Sequence, residues 1–118
     1  IRDRDSAPIV ASTLIGDVNN KSAYNQLVNS MELLHKESYL KTIETSMRTE
    51  HRHIFKTIDV PTFIMVGELD TLTPPSMSNE IMKEIKNSKL SVIPNAGHLS
   101  NIENPTVFNQ KLLEFLDS

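Results

Sequence analysis

Two short polar stretches hold the residues best suited to chemistry. The first is Gly67-Glu68-Leu69-Asp70-Thr71-Leu72-Thr73-Pro74-Pro75, and the second is Asn95-Ala96-Gly97-His98. Each follows a short apolar run, where open α/β sheets put function, just beyond the carboxyl ends of the strands. A carboxylate on one such loop can hold an imidazole on the next in a single tautomer and stabilise its protonated form. In the order acid then histidine, Asp70 and His98 make up the acid–base half of a Ser-His-Asp arrangement. Spacing alone leaves a plainer reading open, in which Asp70 caps a turn and His98 is a surface histidine.

The elements that must position these loops are visible in the apolar pattern. After Val60-Pro61, the run Thr62-Phe63-Ile64-Met65-Val66 is continuously apolar and β-rich, which suits a strand buried on both faces. Leu90 to Ile93 reads as a second strand, and Pro94-Asn95-Ala96-Gly97 turns the chain. Between them, Thr73 reads as a helix N-cap with Pro74 and Pro75 at the first helical positions, where a missing N–H costs nothing. Met77, Ile81, Met82 and Ile85 are the expected buried face of that helix. Asn104-Pro105 starts a last helix with Phe108, Leu112, Phe115 and Leu116 along one face. The second half is therefore β-α-β-loop-α, with a crossover long enough for parallel pairing.

The first half is helical in its spacing. Ala23, Leu27, Met31 and Leu34 form one stripe; Leu40, Ile43 and Met47 form another, starting near Ser38. A weaker segment runs from about Ala7 to Leu14 and stops at Gly16-Asp17. Both stripes are expected to be core. Two strands are too few for an independent sheet, so the pair reads as the edge of a larger one. Its cover would come from a missing N-terminal part of a parent protein or from a second copy of the chain.

Composition narrows the function classes. At 118 residues the chain can bury one core, and 38% hydrophobic with 23% charged residues fits neither a disordered tail nor a membrane span. Twelve Lys and Arg against fifteen Asp and Glu give a net charge of -3, against a nucleic-acid partner. No apolar run approaches the roughly 20 residues of a bilayer crossing, so no membrane partner is expected. The lack of cysteine excludes disulfides, thiolate zinc sites and a Cys nucleophile, and fits a cytoplasmic location. The chain opens on Ile1 and Arg2-Asp3-Arg4-Asp5 with no initiator Met and no signal peptide, which reads as a processed protein or a piece of a longer one.

Other motifs weigh less. His51 and His53 follow a helix, where i and i+2 share no face, so no metal site is expected. Asn20-Lys21-Ser22 fits a glycosylation pattern that matters only on secretion. Glu68 could be a second carboxylate of the site but reads rather as a solvated loop residue, and Ser100 and Asn101 could touch a ligand, though turn chemistry explains them as well.

The stretch Val60-Pro61-Thr62-Phe63-Ile64-Met65-Val66-Gly67-Glu68-Leu69-Asp70, followed by Thr73-Pro74-Pro75, resembles the strand and acid loop of the α/β-hydrolase-fold family. Pro94-Asn95-Ala96-Gly97-His98, Glu103-Asn104-Pro105, Phe108 and Phe115-Leu116 resemble its histidine loop and final helix. The resemblance runs from about Ile58 to Asp117. The helices before it are similar to the end of the inserted cap in the enol-lactonase and carbon–carbon hydrolase branch. It implies an α/β fold class, the C-terminal part of an α/β-hydrolase fold: cap-end helices over 1–57, then β-α-β-α with two parallel strands over 58–118. It further implies Asp70 as the triad acid, His98 as the triad base, a small-molecule carbonyl substrate and no cofactor.

One family feature is missing. The nucleophile of the family sits on a Gly-x-Ser-x-Gly elbow before the acid. Gly16, Gly67 and Gly97 are the only glycines here, and no two are four apart. The expected function is thus the C-terminal portion of a serine hydrolase acting on an ester, lactone or activated carbonyl, inactive by itself. Two rivals stand beside it: a non-catalytic ligand-binding protein of the same fold, and a small self-standing interaction module.

Overall fold

Pro61 ends the helical spacing, and the β-rich run after it forms β1, Thr62–Gly67. A computed structural model describes residues 6–118; the charged opening stretch from Ile1 to Asp5 lies outside the described residues. The elements before β1 are α1 (Ala7–Leu14), α2 (Lys21–Glu32), α3 (Lys36–Arg48) and a 3-10 helix at Arg52–Thr57. After it come α4 (Pro75–Glu84), β2 (Ser88–Ile93), α5 (Ser100–Glu103) and α6 (Pro105–Leu116). Strands β1 and β2 pair in parallel, in register from Thr62 opposite Ser88 to Gly67 opposite Ile93. Both strands end at the same level, so the loops that follow them emerge side by side.

Helix α4 makes the crossover and packs on both strands, and α6 packs on β2. Phe63 of β1 stacks on Phe115 of α6 with ring centroids 4.9 Å apart, a pairing worth about 1 kcal/mol beyond the area it buries. Val66 and Ile93, at the carboxyl ends of the strands, are buried. A second core lies among the helices: Ala11, Ile15, Ala23 and Leu27 are buried between α1 and α2, with Leu99 and Ile102 packed against them. Alanines at Ala7, Ala11 and Ala23 let these two helices approach closely. Because Leu99 and Ile102 follow His98, the helical core seats the histidine loop from below.

Three expectations need correction. Thr73 does not cap α4; Pro74 holds that position and the helix begins at Pro75, because Thr73 turns its N–H and hydroxyl to Asp70. The Leu40, Ile43 and Met47 stripe on α3 is not core: these residues are 54%, 39% and 83% exposed. Periodicity identified the apolar face, but no described element covers it. Leu34 falls beyond the end of α2 and is exposed, and Met77 and Leu116 are likewise exposed on α4 and α6. No described helix is long and apolar enough to cross a membrane.

Candidate active site

The acid loop begins as β1 ends. The Leu69 N–H donates to the Ala96 carbonyl at 2.8 Å and the Glu68 N–H to the Ile93 carbonyl at 2.9 Å, joining the two post-strand loops directly. Glu68 adds a third tie, its Oε2 accepting from the Asn95 N–H at 3.1 Å, so it has a bridging role that the sequence reading did not give it. Asn95 has φ 53°, a left-handed conformation that asparagine tolerates better than most residues.

Close approach dictates the small residues here. A Cβ on Gly67 would collide with the carbonyl oxygens of Gly97 and Ala96, and one on Gly16 would come within 2.6 Å of the Gly97 nitrogen. The three glycines of the chain thus converge on one point beneath His98. Backbone cannot yield as a flexible side chain does, so Gly67→Ala is expected to destabilise the protein by about 3 kcal/mol. Chemical denaturation of the intact protein measures it; an unchanged midpoint would contradict the packing.

Asp70 is 6% exposed and surrounded by donors. Its Oδ1 accepts from the backbone N–H groups of Leu72 and Thr73, both at 2.9 Å. Its Oδ2 accepts from the Thr73 hydroxyl at 2.9 Å and lies 3.0 Å from His98 Nδ1. Thr73 Oγ1 is itself 3.2 Å from that nitrogen. With its proton given to Asp70, the Thr73 oxygen can share the Nδ1 proton of His98. Nδ1 is thereby committed, and Nε2 is the nitrogen free to take up a proton. The His98 side chain remains 33% exposed while that of Asp70 is 4% exposed, so the carboxylate of the pair is buried and the imidazole is accessible.

Burial pushes the Asp70 carboxyl upward, but the Thr73 N–H, the His98 bond, the Thr73 hydroxyl and the His98 charge outweigh it and leave the pKa lowered. A carboxyl that is more acidic folded than unfolded binds fewer protons in the native state, so it adds stability that is complete above the unfolded value near 4 and is lost as pH falls through the lower folded value. Acid unfolding of the intact protein is therefore expected to be steeper in the wild type than in Asp70→Asn below about pH 4. Parallel curves for the two proteins would contradict the lowered value.

The reading from sequence placed Asp70 and His98 on two loops, and the structure brings their side chains together. It does not bring His51 and His53 into a metal-binding group; no cluster of three or more potential ligands occurs among the described residues. Asn20 is occupied by structure, capping α2 through the Ala23 N–H at 3.1 Å and donating to the Glu103 carbonyl at 3.0 Å. Two residues of the site were missed. Thr73 was read as a helix cap, and Glu103 was noted only within a motif, although it is 8% exposed and lies under the histidine loop. No sequence signal marked that spot, since Gly16 and Gly97, which flank it, lie far apart along the chain and meet only in the fold.

The comparisons with known proteins agree on one fold. The sequence profile described as alpha/beta hydrolase fold matches residues 4–105. A pimeloyl-[acyl-carrier protein] methyl ester esterase of Neisseria meningitidis is 27% identical over 77 residues, 65% of this chain and 30% of that protein. Among solved structures, a bromoperoxidase from Bacillus anthracis superposes with TM-score 0.86 at 21% identity, covering 98% of this chain and 44% of that one. A thermophilic esterase from Thermogutta terrifontis gives TM-score 0.84 at 23% identity, covering 97% and 45%. The chain spans less than half the length of each of these relatives.

Proposed function

Because this chain belongs to the alpha/beta hydrolase fold family, we propose that it supplies the acid and the base of a serine hydrolase acting on an ester, lactone or activated carbonyl compound. The observation that carries the reading is the 3.0 Å contact between Asp70 Oδ2 and His98 Nδ1. It sits at the carboxyl ends of two adjacent parallel strands, with the acid buried and the base accessible.

In this reading His98 Nε2 takes the proton of a nucleophilic hydroxyl as its oxygen attacks the substrate carbonyl carbon. Asp70 holds the imidazolium that results. Nε2 then returns the proton to the leaving oxygen as the carbon–oxygen bond breaks, leaving an acyl-enzyme. Water repeats the sequence: Nε2 accepts its proton, the acid departs and the hydroxyl is restored. The nucleophile is assigned outside these residues, since they contain no Gly-x-Ser-x-Gly elbow.

The proposed organisation places the end of a cap in 1–57 and the C-terminal part of the hydrolase core in 58–118. The hydrogen bond from the His98 N–H to the Leu14 carbonyl of α1 spans that division. The free edges of the two-stranded sheet are assigned to another segment of a parent protein or to a second copy, and these 118 residues alone are expected to be inactive. The test is hydrolysis of 4-nitrophenyl acetate by the intact protein. Turnover with a burst of about one nitrophenolate per protein molecule supports an acyl-enzyme. Retained binding of ester analogues without turnover would favour a non-catalytic protein of the same fold.

A further inference from the structure

The proposed chemistry does not use the second buried carboxylate near His98. Glu103 lies in the short helix α5 and is 8% exposed. Its Oε1 accepts from the Gly97 N–H at 2.8 Å. Its Oε2 accepts from the N–H groups of Gly16 at 2.8 Å and Asp17 at 3.3 Å. The His98 N–H donates to the Leu14 carbonyl at 2.9 Å. Two consecutive N–H groups of the histidine loop are therefore tied to residues 14–17, one directly and one through this carboxylate.

Burying a carboxylate costs several kcal/mol unless charge and hydrogen bonds compensate. Among the described residues no cation pairs with Glu103. Its partners are neutral backbone donors that belong to two segments about 80 residues apart in sequence. An amide could accept from one segment only, because its NH2 would face the donors of the other. An apolar residue would leave the buried Gly97 N–H without a partner. We infer that Glu103 is a positioning residue: it locks the Gly97-His98 backbone against the turn after α1 and so fixes the imidazole on Asp70.

This inference rests on the reading of His98 as the base, and its test separates the two. The intact protein and its Glu103→Gln variant are compared by thermal melting, by steady-state hydrolysis of 4-nitrophenyl acetate, and by the low-field proton NMR signal of His98 Nδ1–H. Asp70→Asn and His98→Ala assign that signal. In folded Glu103→Gln the expected result is a kcat lower by about 100-fold, a shift that a loop displaced by about 1 Å produces, with KM within about twofold. The Nδ1–H signal should move or broaden. A folded variant with wild-type kcat and an unchanged signal would overturn the role of Glu103. Failure of His98→Ala to affect wild-type hydrolysis would instead overturn the reading beneath it.

If Glu103→Gln does not fold, wild-type hydrogen exchange decides. Gly16 and Gly97 share one carboxylate, so their amides should be protected and open together. A Gly97 amide exchanging at the rate of an exposed loop would overturn the lock.

Discussion

His98→Ala in the intact protein should lower kcat for an ester substrate by about 10⁶-fold while leaving the fold in place. In the proposed mechanism the change removes the group that accepts and returns the proton. Little stability is at stake. The ring is one-third exposed and belongs to neither apolar core. Asp70 keeps the Leu72 and Thr73 N–H groups and the Thr73 hydroxyl when the imidazole goes. The change in unfolding free energy should accordingly stay within about 0.5 kcal/mol, as for surface substitutions generally. Stopped-flow and steady-state assays with a chromogenic ester, beside denaturant melts, measure both quantities. Retained esterase activity in a folded variant would remove His98 from the mechanism.

Asp70→Asn should cost about 10⁴-fold in kcat and should also destabilise the protein. The catalytic loss follows from the tautomer. An asparagine that turns its NH2 toward His98 presents a donor where an acceptor is required, and favours a protonated Nε2 that can no longer act as base. The loss of stability follows from counting donors. Four of them meet the two carboxylate oxygens: two backbone N–H groups, the Thr73 hydroxyl and His98. An amide offers one oxygen, so a buried donor is left facing NH2, at a cost of about 1–3 kcal/mol. His98→Ala and Asp70→Asn thus separate in their melting behaviour even though both abolish most turnover. Equal melting of the two variants would show that the donors around Asp70 are replaceable by water.

Residues whose neighbours are local in sequence were legible; those fixed by distant contacts were not. The run Phe63 to Val66 reads as a strand because its apolarity is continuous, and Asn104-Pro105 starts α6 as expected, with Asn104 Oδ1 accepting from the Val107 N–H at 3.3 Å. The acid and histidine loops follow from the strands before them. Thr73 misled because serine and threonine before a proline pair so often cap helices, whereas here the hydroxyl is claimed by a carboxylate three residues back. The stripe on α3 misled for another reason: periodicity fixes which residues share a face, and burial depends on what lies opposite. Glu103 was illegible as a site residue because its partners, Gly16, Asp17 and Gly97, meet only when α1 packs beneath the histidine loop. Its worth is a tertiary fact.

The most direct test of the account is labelling of the intact protein with a fluorophosphonate, in the wild type and in His98→Ala, followed by peptide mapping. The account predicts rapid labelling of a single serine in the wild type, at none of the serines in these 118 residues, and a rate lower by at least about 10³-fold in His98→Ala, because Nε2 must take the hydroxyl proton for the serine to attack phosphorus. Equal labelling rates in the two proteins would contradict it, as would a label on a serine within this chain.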